Sequence, residues 1–219
     1  MGEKLTRAEA SAAVTGLGWR YVLGSLVTVV PVGSLPQAAE VARAVAAVDA
    51  PVRLDLRADR VLLTLPAPVT AVTTELAGRI RDAVGSLGLT LDALAGPSGR
   101  SAQLLEIAID ALDIPAVRPF WRAVMAYVDD PLEPSPEGAL IDPYGQGPTI
   151  WFQQMEAPRP QRNRIHFDVS VPHDEAAGRI AATLAAGGTL TYELEAPAFW
   201  VLADPEGNEA CVTTWQGRD

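Results

Sequence analysis

The chain contains two histidines and one cysteine. Proton transfer or soft-metal chemistry near neutral pH would therefore centre on His166, His173 or Cys211, with carboxylates completing any set. His166 has the most informative setting, in Arg164-Ile-His166-Phe-Asp168-Val-Ser170-Val171. Polar and apolar residues alternate strictly there, so in an extended chain Ile165, Phe167, Val169 and Val171 share one face. Arg164, His166, Asp168 and Ser170 share the other. An imidazole and a carboxylate two residues apart, on the open face of a sheet packed on its other side, can bind a ligand or a metal ion. The pattern also suits a structural histidine hydrogen-bonded to Asp168 or Glu106. His173, between Pro172 and Asp174, reads as a solvated residue at a helix start. Cys211 excludes an internal disulfide and a thiolate-rich zinc site, and its ordinary role is that of a small buried hydrophobe.

Composition narrows the classes. A length of 219 residues suggests two modest domains, and 48% apolar residues suffice for their cores. No apolar run approaches a membrane span, so no membrane partner is expected. The start of the chain lacks the apolar core of a signal peptide, and a cytoplasmic location is the expectation. The net charge of −10 repels phosphate backbones, which argues against nucleic acid. The densest basic group, Arg159, Arg162 and Arg164, reads as a solvated loop. Gly16-Leu-Gly18 lies at a helix end and is no phosphate loop. No nucleophile-elbow motif is present.

The elements that would position these residues follow from periodicity. Thr6-Arg-Ala-Glu9 is a capping box opening a helix that stops near Gly16. Trp19 to Val32 reads as two strands broken at Gly24-Ser25. Ser34-Leu-Pro-Gln37 is a second capping box, with helical spacing to about Val48. Val52–Leu56 and Val61–Leu65 alternate as strands around Ala58-Asp59, and a helix follows from about Thr73 to Leu87. This order predicts an antiparallel sheet with helices on one face. Ala95 to Ser101 is rich in turn formers and reads as the linker between a domain over 1–95 and another over 102–219.

The second half begins with a strand from Leu104 to Asp110. A helix carries Ile114, Val117, Phe120, Trp121, Val124 and Val128, and strands are predicted at 138–141 and 149–155. The His166 strand follows, then a helix from Asp174 to Ala186 and strands near 190–194, 199–203 and 210–215. The fold class is thus α+β, ending in two tandem βαβββ modules. Trp200 and Trp215 are predicted in the core, and Trp151 is the best pocket tryptophan.

Residues from about 102 to 216 resemble the glyoxalase/bleomycin-resistance (vicinal oxygen chelate) superfamily. The carriers are Pro119-Phe-Trp121, Asn163-Arg-Ile-His166-Phe-Asp168, and Phe199-Trp-Val-Leu-Ala-Asp204-Pro-Glu-Gly-Asn208-Glu209. The resemblance implies that each module rolls into half of a cup. It also implies metal ligands on the first and last strands of the modules, assigned here to Glu106, Gln153, His166 and Cys211. His166 and Glu106 would be the catalytic pair, with Trp151, Arg164 and Asp168 against the bound small molecule. A thiolate in the set favours zinc or iron over magnesium. The implied function is a metal-assisted lyase, isomerase or dioxygenase, or else metal-free sequestration of an aromatic or drug-like ligand.

Residues from about 4 to 94 resemble pterin-4a-carbinolamine dehydratases, through Gly18-Trp-Arg20, Leu54 to Val61, and Leu76-Ala77 before Ile80. That family dehydrates its substrate with three histidines. The corresponding positions here are Asp49, Ala50 and Pro68. Alanine and proline transfer no protons, so this half is expected to have lost the dehydratase reaction. Assembly into a homo-oligomer, or covering the second domain's pocket, is the role then expected for it.

Overall fold

A computed structural model of the chain describes residues 4–93, 103–132, 134–158 and 165–217. The expected linker at 95–101 and Arg164 lie outside the described residues. The chain divides into two compact units, Met1–Leu104 and Leu105–Asp219.

The first unit runs α1 (Arg7–Thr15), β1 (Arg20–Val22), β2 (Ser25–Pro31), α2 (Leu35–Ala46), β3 (Arg53–Leu56), β4 (Arg60–Leu65) and α3 (Ala71–Gly85). The Thr6 hydroxyl accepts from the Glu9 N–H at 3.3 Å, and the Glu9 carboxylate accepts from the Thr6 N–H at 2.9 Å. The start of α2 differs from the predicted box. Ser34 caps the Gln37 N–H, but the Gln37 side chain accepts from Gly33 instead, one residue earlier. The β1–β2 turn is also one residue earlier than predicted, at Leu23-Gly24. Both residues hold positive φ, 49° and 75°, the condition a two-residue turn sets for matching the twist of its strands.

The four strands pair antiparallel in the order β1-β2-β4-β3. Leu26 and Val30 of β2 and Val61, Leu63 and Leu65 of β4 point to one face. There they join Val14, Trp19, Val41, Val45, Ile80 and Val84 from the helices and the turn after α1. Alternation in the strands and helical stripes thus meet in one core, with the helices on a single face of the sheet. Thr28, on the same face, satisfies its buried hydroxyl by donating to Gly18 O at 2.6 Å. Asp49 and Pro68 are exposed and Ala50 is half-buried.

The second unit begins with β5 (Glu106–Ala111), α4 (Ile114–Met125), β6 (Val128–Asp129), β7 (Leu140–Ile141) and β8 (Thr149–Gln154). It repeats as β9 (Phe167–Ser170), α5 (Ala176–Ala185), β10 (Thr189–Tyr192), β11 (Phe199–Ala203) and β12 (Glu209–Thr213). The sheets run β5-β8-β7-β6 and β10-β11-β12-β9, and in each the first strand of the module lies parallel to the last. These are two βαβββ modules of the same topology. Val128, counted in the helical stripe from sequence, belongs instead to β6. The helix ends because Ala126 turns left-handed at φ 53°. The buried Arg118 then ties β6 to α4, donating to Asp129 and to Gly138 O at 2.8 Å each.

One core serves both modules. Ile109, Phe120, Trp121, Ile150 and Phe152 cluster with Leu202, Ala210 and Val212. Trp121 meets Phe120 and Phe167 edge-on at 5.3 and 5.7 Å. Core-facing residues take alternate strand positions, so the opposite face of each sheet carries the remaining side chains.

Candidate functional site

On the second sheet the face away from the core contains His166, Asp168 and Cys211. Phe167 pairs with Ala210 and Val169 with Val212, and all four face the core. Asp168 therefore sits beside Cys211, and Ser170 beside Thr213, on the opposite face. His166, one residue before Phe167, is on that face too. One ligand atom from each of His166, Asp168 and Cys211 lies within 4.8 Å of the other two. His166 Nε2 is 3.5 Å from Asp168 Oδ1, an ion pair when the imidazole is protonated. The floor of the group is closed, with Cys211 buried, while the His166 and Asp168 side chains are 51% and 62% exposed. Ser170 Oγ and Thr213 Oγ1 form the next rung at 2.9 Å.

The first sheet places its residues differently from the expectation. Ile107 pairs with Ile150 and Ile109 with Phe152, so Glu106, Ala108, Asp110, Thr149, Trp151 and Gln153 take the opposite face. Gln153 pairs with Asp110 and Glu106 with Thr149. Those rungs are four residues apart, or about 13 Å along the strand at ~3.3 Å per residue. Glu106 and Gln153 therefore do not share a coordination sphere. Glu106 is not part of the group formed by His166, Asp168 and Cys211 among the described residues. The repeat explains the difference. Superposing the core pairs of the two modules matches Glu106 to His166 and Trp151 to Cys211, whereas Gln153 matches Thr213. Trp151 is exposed beside Ala108. Trp215, predicted in the core, is 63% exposed, with its ring 5.3 Å from that of His173. Asp168, read from sequence as a substrate contact, belongs to the donor group.

The donor set suits a metal ion in chemistry and spacing. Zinc accepts imidazole, carboxylate and thiolate at about 2.0–2.3 Å, which separates neighbouring ligands by about 3–4 Å. The 3.5 Å between His166 and Asp168 already lies in that span. Cys211 lies within 4.8 Å of both. Zinc or iron fits these residues, and magnesium, which wants oxygen donors, fits poorly.

Residues 106–213 match the family model described as Glyoxalase-like domain. Among solved structures, the chain is similar to a glyoxalase/bleomycin resistance protein/dioxygenase family enzyme from Burkholderia phytofirmans PsJN. The identity is 22%, over 52% of this chain and 98% of that one, with a TM-score of 0.43. A glyoxalase-related enzyme from Fulvimarina pelagi matches at 18% identity over 51% and 87% of the two chains, TM-score 0.41. A genomically encoded fosfomycin resistance protein, FosX, from Listeria monocytogenes matches at 13% over 53% and 95%, TM-score 0.40. Comparison with curated protein sequences returns no match.

Proposed function

Because residues 106–213 form a glyoxalase-like domain, we propose that this unit binds a small oxygen-bearing molecule on its second sheet and processes it with a divalent metal held by His166, Asp168 and Cys211. One observation carries the reading: three side chains of metal-ligating type converge within 4.8 Å on an open sheet face. A bound ion would supply Lewis acidity toward adjacent substrate oxygens, the chemistry of a lyase, isomerase or dioxygenase. Asp168 would keep the His166 ring turned toward the group. Ser170 and Thr213 would offer hydroxyls to the substrate one rung away. Glu106 and Trp151, at matching positions on the first sheet, are candidates for the opposing wall. A homo-oligomer is the assembly this reading expects, with one copy's first sheet completing another's half-open site.

Metal analysis of the purified full chain, followed by zinc, iron(II) and magnesium titration of chelator-treated protein, tests the proposal. One bound zinc or iron per chain, lost in His166→Ala and Asp168→Asn, is the expected result. No stabilisation by any of the three ions would overturn it.

A second reading, metal-free sequestration of an aromatic ligand, is favoured by the exposed Trp151 against the small Ala108. It predicts ligand-dependent thermal stabilisation that a chelator leaves intact. For the first unit we propose a dehydratase-like but non-catalytic role, since Asp49, Ala50 and Pro68 stand where that chemistry needs imidazoles. A quinonoid-dihydropterin formation assay at background rate is the expected outcome.

A further inference from the structure

One feature of the second sheet is not required by its core. Strand β10 pairs Leu190 with Leu202, then breaks register, so that Tyr192 rather than Thr191 pairs with Val201. Without the break, Tyr192 would lie opposite Trp200, whose side chain packs on the core. The extra residue turns Tyr192 onto the open face, as strand bulges do when they re-aim a side chain. The Thr191 hydroxyl secures the break by donating to Val201 O at 3.1 Å. Once turned, Tyr192 stacks on Phe199, with centroids 5.9 Å apart and an 18° interplanar angle.

The pairing then runs unbroken across the sheet. Tyr192 pairs with Val201, Val201 with Cys211, and Cys211 with Asp168. One rung thus leads from an aromatic pair, over a valine, to the thiol, carboxylate and imidazole. Tyr192 to Cys211 spans two strand spacings, about 10 Å.

We propose that this rung is a binding strip for a flat aromatic molecule with an oxygen-bearing end group. Its ring stacks on the outer face of the Tyr192 ring, which Phe199 backs from the other side, and its oxygens reach His166, Asp168 and Cys211. The strip's length fits one or two fused rings plus the end group. Offset stacking supplies the affinity at one end, and charged or metal-coordinating groups fix the orientation at the other. The proposal deepens the reading of this face as the site and names its substrate class.

The test is titration of the full chain, chelator-treated and zinc-loaded, with 1-hydroxy-2-naphthoate and with glycolate, which has the oxygens but no ring. Tyr192→Ala and Phe199→Ala are each expected to weaken naphthoate binding about tenfold and to leave glycolate unchanged. Tyr192→Phe retains binding, because the ring and not the hydroxyl makes the contact. Unchanged naphthoate affinity in Tyr192→Ala overturns the strip. If Phe199→Ala fails to fold, Tyr192→Ala decides alone, at an exposed position. A homodimer that buries Tyr192 and dissociates in Tyr192→Asp, with no naphthoate binding, also overturns it. Ring-dependent binding that persists without zinc supports the strip while removing the metal reading. Glycolate binding that needs zinc and His166, with no ring dependence for naphthoate, does the reverse.

Discussion

The indole Nε1 of Trp121 donates to Oδ2 of Asp204 at 3.0 Å, joining the helix of the first module to the last turn of the second. Both residues are buried. Asp204 also accepts from the Glu206 and Asn208 N–H groups and from Asn208 Nδ2, each at 2.9 Å. The Asp204-Pro-Glu-Gly-Asn208 turn is thus an inter-module tie. Asp204→Ala strands the buried Trp121 donor and three part-buried ones and is expected to cost about 3 kcal/mol, against about 1 kcal/mol for Trp121→Phe. Urea unfolding of both and of the double variant checks the link. Additivity within about 0.3 kcal/mol would show the pair uncoupled.

Glu206 extends the tie. Its carboxylate accepts from Leu112 N–H at 2.8 Å and Asp113 N–H at 2.7 Å, just ahead of α4. Glu206→Ala is expected to cost about 1 kcal/mol and to speed hydrogen exchange at those two amides. Unchanged exchange at Leu112 and Asp113 counts against this role.

Gly188 admits the Phe120 ring. A Cβ there would lie 2.7 Å from Phe120 Cδ2 and 2.8 Å from Thr183 O, closer than packed atoms tolerate. Gly188→Ala is expected to destabilise by about 1–3 kcal/mol. Thermal unfolding reads this directly, and a wild-type midpoint would contradict it.

Asp129 supplies a pH-dependent contribution. The hydrogen bond from Arg118 holds its carboxyl below the ordinary value of 3.8. A depressed folded-state value means the contribution is full above 3.8 and is lost as pH falls through the folded-state value. The stability gap between wild type and Asp129→Asn is therefore expected to be constant from pH 7 to about pH 5 and to close in more acidic solution. A gap that persists below both values would assign it to packing.

In the proposed metal site, donor hardness at Cys211 would set metal choice. Cys211→Asp replaces the soft ligand with oxygen, so manganese affinity is expected to rise relative to zinc by tenfold or more. Competitive metal titration measures the ratio, and an unchanged ratio would remove Cys211 from the set.

Strand alternation by itself determined which side of the His166 strand is polar, and element order determined both βαβββ modules. Both are local properties: one period fixes a face, and a run of periods fixes an element. Cross-strand register is not local. Whether Gln153 or Trp151 corresponds to Cys211 depends on which residue of β5 each one pairs with, and a single strand carries no record of that. The two-residue strand β6, set by the buried Arg118, left too short a pattern to read. The bulge at Thr191 moves Tyr192 to the opposite face by one residue, a choice made only when β10 meets β11. The tertiary structure alone decided that Asp168 stands beside Cys211 and near His166, because that proximity depends on how separate strands align in one sheet.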